Sequence, residues 1–96
     1  MGKIELEEID ELKEIARQIR REITNPKMLV YTNLLNQLII ETEVENVETM
    51  STFMSIIEEL KLYHSRYLEG YDSNFEFWMN RNSPVIYCTY ERNKID

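Results

Sequence analysis

The chain carries one histidine and one cysteine, so a nucleophilic dyad could only join His64 to Cys88. In such a pair the imidazole removes the thiol proton and leaves a thiolate to attack a carbonyl or phosphoryl centre. The surroundings favour plainer roles. His64 falls on the apolar arc of an expected helix. Cys88 lies within Val85-Ile-Tyr-Cys-Thr-Tyr-Glu91, a run without the papain-like or caspase-like sequence around a catalytic thiol. A core histidine and a small buried thiol are therefore expected.

Counting and spacing leave out phosphate-loop and metal chemistry, while paired-carboxylate hydrolysis is argued against only by position. Gly2 and Gly70 are the only glycines, too few for a phosphate-cradling loop. The segment Glu41–Glu48 carries four carboxylates but lacks the central glycine of a calcium loop, and no zinc-ligand spacing occurs. Every Glu cluster sits on an expected polar face, not in an apparent cleft. Catalysis is not expected, nor a cofactor or metal.

Aromatic residues are the one unusual concentration. Tyr63, Tyr67, Tyr71, Phe75, Phe77, Trp78, Tyr87 and Tyr90, eight of ten, fall in the last third. Core filling accounts for such residues in a small domain. Tyr, Trp and Arg are also the types that carry binding energy at protein interfaces. The candidate partner-binding set is Tyr63, Arg66, Tyr67, Tyr71, Phe77, Trp78, Tyr87 and Tyr90. A second use of the same residues is a nucleotide site, with tyrosines stacking a base and Arg66, Arg81 or Arg92 holding phosphate.

Composition bounds the partner. The net charge is −7, from 18 acidic and 11 basic residues. A surface of that sign repels phosphate backbones, so direct nucleic-acid binding is not expected. The basic cluster Arg17, Arg20, Arg21 and Lys27 is diluted by neighbouring carboxylates. A lone cysteine forms no internal disulfide and points to a reducing compartment. The N-terminus has no apolar signal region, and the longest charge-free run, 28–40, is too short to span a bilayer. Cytoplasmic location, bacterial or in an infected host cell, is the expectation.

The elements that would position these residues read as helices. Ile9, Leu12, Ala16, Ile19 and Ile23 recur at 3-4 spacing, widened by Ile15, and predict a helix over about 4–24. Acidic residues in its first half and Arg17, Arg20 and Arg21 in its second complement the helix dipole, and Glu14 can pair with Arg17. Asn25-Pro26 offers a cap for a second helix, about 26–42, apolar on nearly all sides. Such a helix exceeds what a small monomer can cover, so a homodimer is expected. A third helix, about 47–69, buries Val47, Met50, Phe53, Met54, Ile57, Leu60, His64 and Leu68, with Gly70 just past its end. Ser73-Asn-Phe-Glu76 matches a capping box opening a short helix, about 74–80. Residues 85–91, β-branched and aromatic, read as a strand without an evident partner inside the chain.

The expected fold is mainly α: a single domain over 1–96, a three-to-four-helix bundle with a short C-terminal β-strand or extended tail. The expected function is a small acidic protein-interaction module, of the kind that blocks a partner as phage-type anti-defence or host-takeover inhibitors do. A nucleotide-sequestering oligomer and a structural assembly subunit are the alternatives.

Overall fold

Alternation, not helical periodicity, governs residues 28–43. In the computed structural model, which describes residues 11–95, Met28–Thr32 forms strand β1 and Leu38–Glu43 forms strand β2. Met28, Val30, Leu38, Ile40 and Thr42 point to one side and are buried, while the residues between them point to the other. The strands pair antiparallel from Met28↔Thr42 to Thr32↔Leu38. Asn33 makes the turn. Its side-chain oxygen accepts from the N–H groups of Leu35 and Gln37, and Asn36 takes a φ of 58° that asparagine tolerates better than most residues.

The expected helix over 26–42 is thus a hairpin, and the mainly-α bundle is replaced by an α+β fold. A helix drawn through this stretch looks apolar all round because both faces of the hairpin carry apolar residues. With it falls the helix on which the expected homodimer rested, and four of its nine apolar residues, Met28, Val30, Leu38 and Ile40, are covered within one chain.

The two helices that do form follow the expected stripes. Helix α1, Leu12–Glu22, buries Leu12, Ile15, Ala16 and Ile19, and Glu14 pairs with Arg17 at 2.5 Å. Ile9 and the first turns of the expected helix lie outside the described residues. Helix α2, Val47–Tyr67, starts at Asn46, whose side chain accepts from the Thr49 N–H at 2.9 Å and the Thr49 hydroxyl at 3.0 Å. It buries Phe53, Ile56, Ile57, Leu60, Tyr63 and His64, whereas Val47 and Met54 of the expected arc are exposed.

The last quarter is a second hairpin. Strand β3, Tyr71–Met79, replaces the expected short helix at 74–80, and β4, Val85–Lys94, contains the expected strand. The apparent capping box at Ser73 and Glu76 lies within β3, because Phe75, Phe77 and Met79 alternate toward the helices. The sheet order is β1-β2-β4-β3, antiparallel throughout, so β4 is the partner of both β2 and β3. The strand expected to lack a mate is paired on both sides.

Both helices cover the same face of the sheet, α1 lying on β1 and β2, and α2 on β2 and, through His64 and Tyr90, on β4. Between the layers sit Tyr90, Phe53, Leu12, Ile15, Ile19, Leu38, Ile40, Ile56, Ile57, Leu60 and Cys88. At roughly 1.5–3 kcal/mol per fully buried large apolar side chain, this layer is the main source of stability.

The chain repeats itself. Each half runs helix, hairpin: α1-β1-β2, then α2-β3-β4. Asn33 and Asn80 open the two hairpin loops alike, each accepting on its side chain from the N–H two residues on. Ile23 and Leu68 close the two helices alike, each N–H bonding the carbonyl four residues back. The strand registers relate the two hairpins by a pseudo-twofold axis through the Ile40↔Cys88 pair, exchanging Leu38↔Tyr90 with Thr42↔Ile86.

Candidate functional site

The only possible dyad is built into the core. His64 on α2 faces Tyr90 of β4, its Nδ1 2.5 Å from the phenol oxygen and its Nε2 2.9 Å from the carbonyl oxygen of Tyr71. A carbonyl only accepts, so Nε2 carries the proton and donates, and the Tyr90 hydroxyl donates to Nδ1. Both ring nitrogens are therefore engaged in tying α2 to β4 and to the start of β3. Burial pushes the Tyr90 phenol well above its usual range. Cys88 is fully buried on the same face of β4, and burial raises its thiol from 9.0 to about 11, against a smaller opposing pull from Lys61. A thiol so raised is a poor nucleophile. Among the described residues no group of three or more His, Cys, Asp or Glu side chains is placed to hold a metal ion.

Among the described residues, no helix covers the opposite face of the sheet. Its rungs follow from the registers: Leu29, Glu41, Tyr87 and Trp78 stand side by side across all four strands, with Tyr31, Ile39, Thr89 and Glu76 in the next rung. Trp78 is 56 % exposed and Leu29 50 %. The Trp78 indole N–H donates to the Thr89 hydroxyl at 3.2 Å, which orients the ring beside Tyr87. Burial first, and then the neighbouring Glu41 carboxylate, raise the Tyr31 phenol. At the tip of the first hairpin, Leu34 and Leu35 are both exposed. Apolar and aromatic side chains thus stand on this face in all four strands, with Glu41 between Leu29 and Tyr87.

Carboxylates are interspersed with them. Glu41, Glu43, Asp72, Glu76 and Glu91 occupy strand positions on this face, and no lysine or arginine does. Gln37 and Asn93 donate to the Glu91 carboxylate and hold its pKa below the usual range, Gln37 having the larger effect. Lys27, just before β1, bonds Glu45 and Glu43 at the margin, and these partners raise its pKa. The face therefore combines aromatic and aliphatic contact area with net negative charge, which Lys27 partly offsets at Glu43.

The eight residues singled out from sequence are distributed over several places. Trp78 and Tyr87 are brought together as direct cross-strand neighbours on the open face. Phe77 lies on the helix side of β3 and is 46 % exposed. Tyr90 and Tyr63 are core, with Tyr67 packed at 5.3 Å on Tyr63 and the Arg66 guanidinium 6.0 Å from the Tyr67 ring. Tyr71 starts β3 under Arg92, 5.7 Å from its ring centre. Leu29, Tyr31, Ile39 and Glu41 were missed because their segment reads as a helix. The signal that finds them is the asparagine-rich turn Asn33–Gln37 between two β-branched runs.

Arg66, Arg81 and Arg92, the expected phosphate ligands, lie on α2, the β3–β4 loop and β4 respectively. A broad, solvent-open hollow between the end of α1 and the start of α2 sets a single arginine, Arg21, among Glu22, Glu45 and Glu48. No helix among the described residues is long and apolar enough to cross a membrane. No protein-family model, curated protein or solved structure matches the chain.

Proposed function

We propose that this chain is a protein-interaction module whose open sheet face binds a basic surface of a partner protein. The observation that carries the reading is the strip of Leu29, Tyr31, Tyr87 and Trp78 that no described helix covers, set among Glu41, Glu43, Asp72, Glu76 and Glu91, with Lys27 at the margin on Glu43. Large, rigid aromatic side chains supply contact energy at low entropic cost, and a rim of one charge selects a partner of the other and speeds encounter. Stacking surfaces for single-stranded nucleic acid combine aromatics with cations; carboxylates in their place oppose phosphate. A partner with a basic functional surface would be occluded by this face, and the module would then act as its inhibitor. The lone, fully buried Cys88 suits a reducing compartment such as the cytoplasm.

The test is capture from lysate, identification of the bound protein, and measurement of its affinity after purification. Trp78→Ala and Tyr87→Ala should each weaken binding about tenfold or more, and binding should fall with added salt. Leu62→Ala, on the exposed side of α2, should leave it unchanged. Equal affinity of all four proteins, with circular dichroism unaltered, would eliminate the open face as the binding surface.

A further inference from the structure

The two edges of the sheet differ in how their backbone groups are used. In an antiparallel pair alternate residues exchange hydrogen bonds, and those between them turn their N–H and C=O outward. The Asn33 N–H donates to the Gln37 carbonyl, which fixes Met28, Val30 and Thr32 as the outward residues of β1. Two of them are occupied: the Met28 N–H donates to the Asn25 carbonyl, and the Val30 carbonyl accepts from the Arg20 guanidinium at 2.8 Å. The β1 edge is also short, at five residues. It is guarded in the manner of edges that must not pair.

The β3 edge is built differently. The Asn80 N–H donates to the Val85 carbonyl and the Ile95 N–H to the Gly70 carbonyl, so the odd-numbered residues of β3 face outward. Tyr71 has committed both groups, its N–H to Leu68 and its carbonyl to His64. Among the described residues, that leaves the backbone of Ser73, Phe75, Phe77 and Met79 along an edge with no bulge, proline or lysine. Phe77 and Met79 are 46 % and 75 % exposed beside it.

We propose that two copies of this chain pair their β3 strands antiparallel about a two-fold axis at Phe75, joining two sheets into one of eight strands. Outward groups must meet outward groups, so a symmetric pairing centres on a residue of β3, and its charges select which. Centred on Asn74, the pairing sets Asp72 against Glu76 of the other copy; centred on Glu76, it sets that carboxylate against its twin. Centred on Phe75, Asp72 meets Trp78, Asn74 meets Glu76, Ser73 meets Phe77 and Tyr71 meets Met79. No like charges oppose and the register spans all nine positions, with the new backbone hydrogen bonds exchanged by Ser73, Phe75 and Phe77 because Tyr71 has committed its own groups. The centre at Phe77 also avoids like charges but matches fewer strand residues. This pairing covers Phe77 and Met79 and leaves the open face free, so it stands apart from the proposal of a basic partner.

Sedimentation velocity and light scattering over a concentration series test it. The wild-type mass should rise from 11.6 kDa toward twice that value with concentration. Asn74→Glu, which sets like charges opposite Glu76 twice per dimer, should raise the dissociation constant roughly two- to thirtyfold, and Asn74→Lys should lower it by a similar factor. Ser73→Pro removes one outward N–H per copy and should raise it about fivefold or more. Urea unfolding of the dilute monomer of each variant separates loss of fold from loss of pairing. A mass of 11.6 kDa at every concentration up to hundreds of micromolar overturns the proposal. So does a dimer indifferent to Asn74→Glu, Asn74→Lys and Ser73→Pro, each still folded.

Discussion

Replacing Tyr90 by phenylalanine removes one oxygen and little else. Tyr90 is 1 % exposed, and its ring packs on Phe75 with 4.8 Å between ring centres, so apolar burial survives the change. What is lost is the proton that the hydroxyl donates to Nδ1 of His64, itself buried. The imidazole cannot turn to find another donor, because Nε2 is spent on the Tyr71 carbonyl at 2.9 Å. An orphaned buried acceptor costs about 1–3 kcal/mol, more than the net value of an average hydrogen bond. For a domain of this size that corresponds to a fall in Tm of about 5–20 °C. Chemical denaturation with urea measures it directly, and the nitrogen-15 shifts of His64 report the tautomer. A change of less than about 0.3 kcal/mol on Tyr90→Phe would refute the reasoning, since that is the scale of a surface substitution. A proton found on Nδ1 in the native protein would refute it equally.

Two further outcomes follow from the core and the helix caps. Folding raises the Cys88 thiol from 9.0 to about 11, so the stability tied to its neutral form is complete below pH 9 and declines as pH climbs toward 11. Cys88→Val should flatten that alkaline decline, and parallel curves for the two proteins would contradict it. Asn46→Ala should destabilise by about 0.5–2 kcal/mol through loss of the α2 cap, read as a lowered urea midpoint; an unchanged midpoint would count against the cap.

The helices could be read from the residues because each has one apolar stripe and a polar remainder. Leu12, Ile15, Ala16 and Ile19 mark α1, while Phe53, Ile57, Leu60 and His64 mark α2. The first hairpin was hidden by its own open face. With Leu29, Tyr31 and Ile39 apolar between the buried Met28, Val30, Leu38 and Ile40, the two-residue period vanishes into a continuous apolar run. Ser73 and Glu76 match a cap by spacing alone, and tertiary pairing with β4 overrides that local signal. The candidate surface was legible only in part. Trp78 and Tyr87 could be chosen by residue type, but their adjacency depends on β3 being a strand, and Leu29 and Tyr31 join them only through the sheet.

The doubled helix-hairpin plan has a consequence for how the molecule comes apart. Its halves meet along β2 and β4, at whose midpoint Ile40 and Cys88 are closed off from solvent. Cleaving the link at 44–46 would give two fragments, each presenting its innermost strand bare and its helix half covered. Neither fragment should hold its shape by itself, and the two should recombine when mixed. The intact protein should melt as one unit and not half by half.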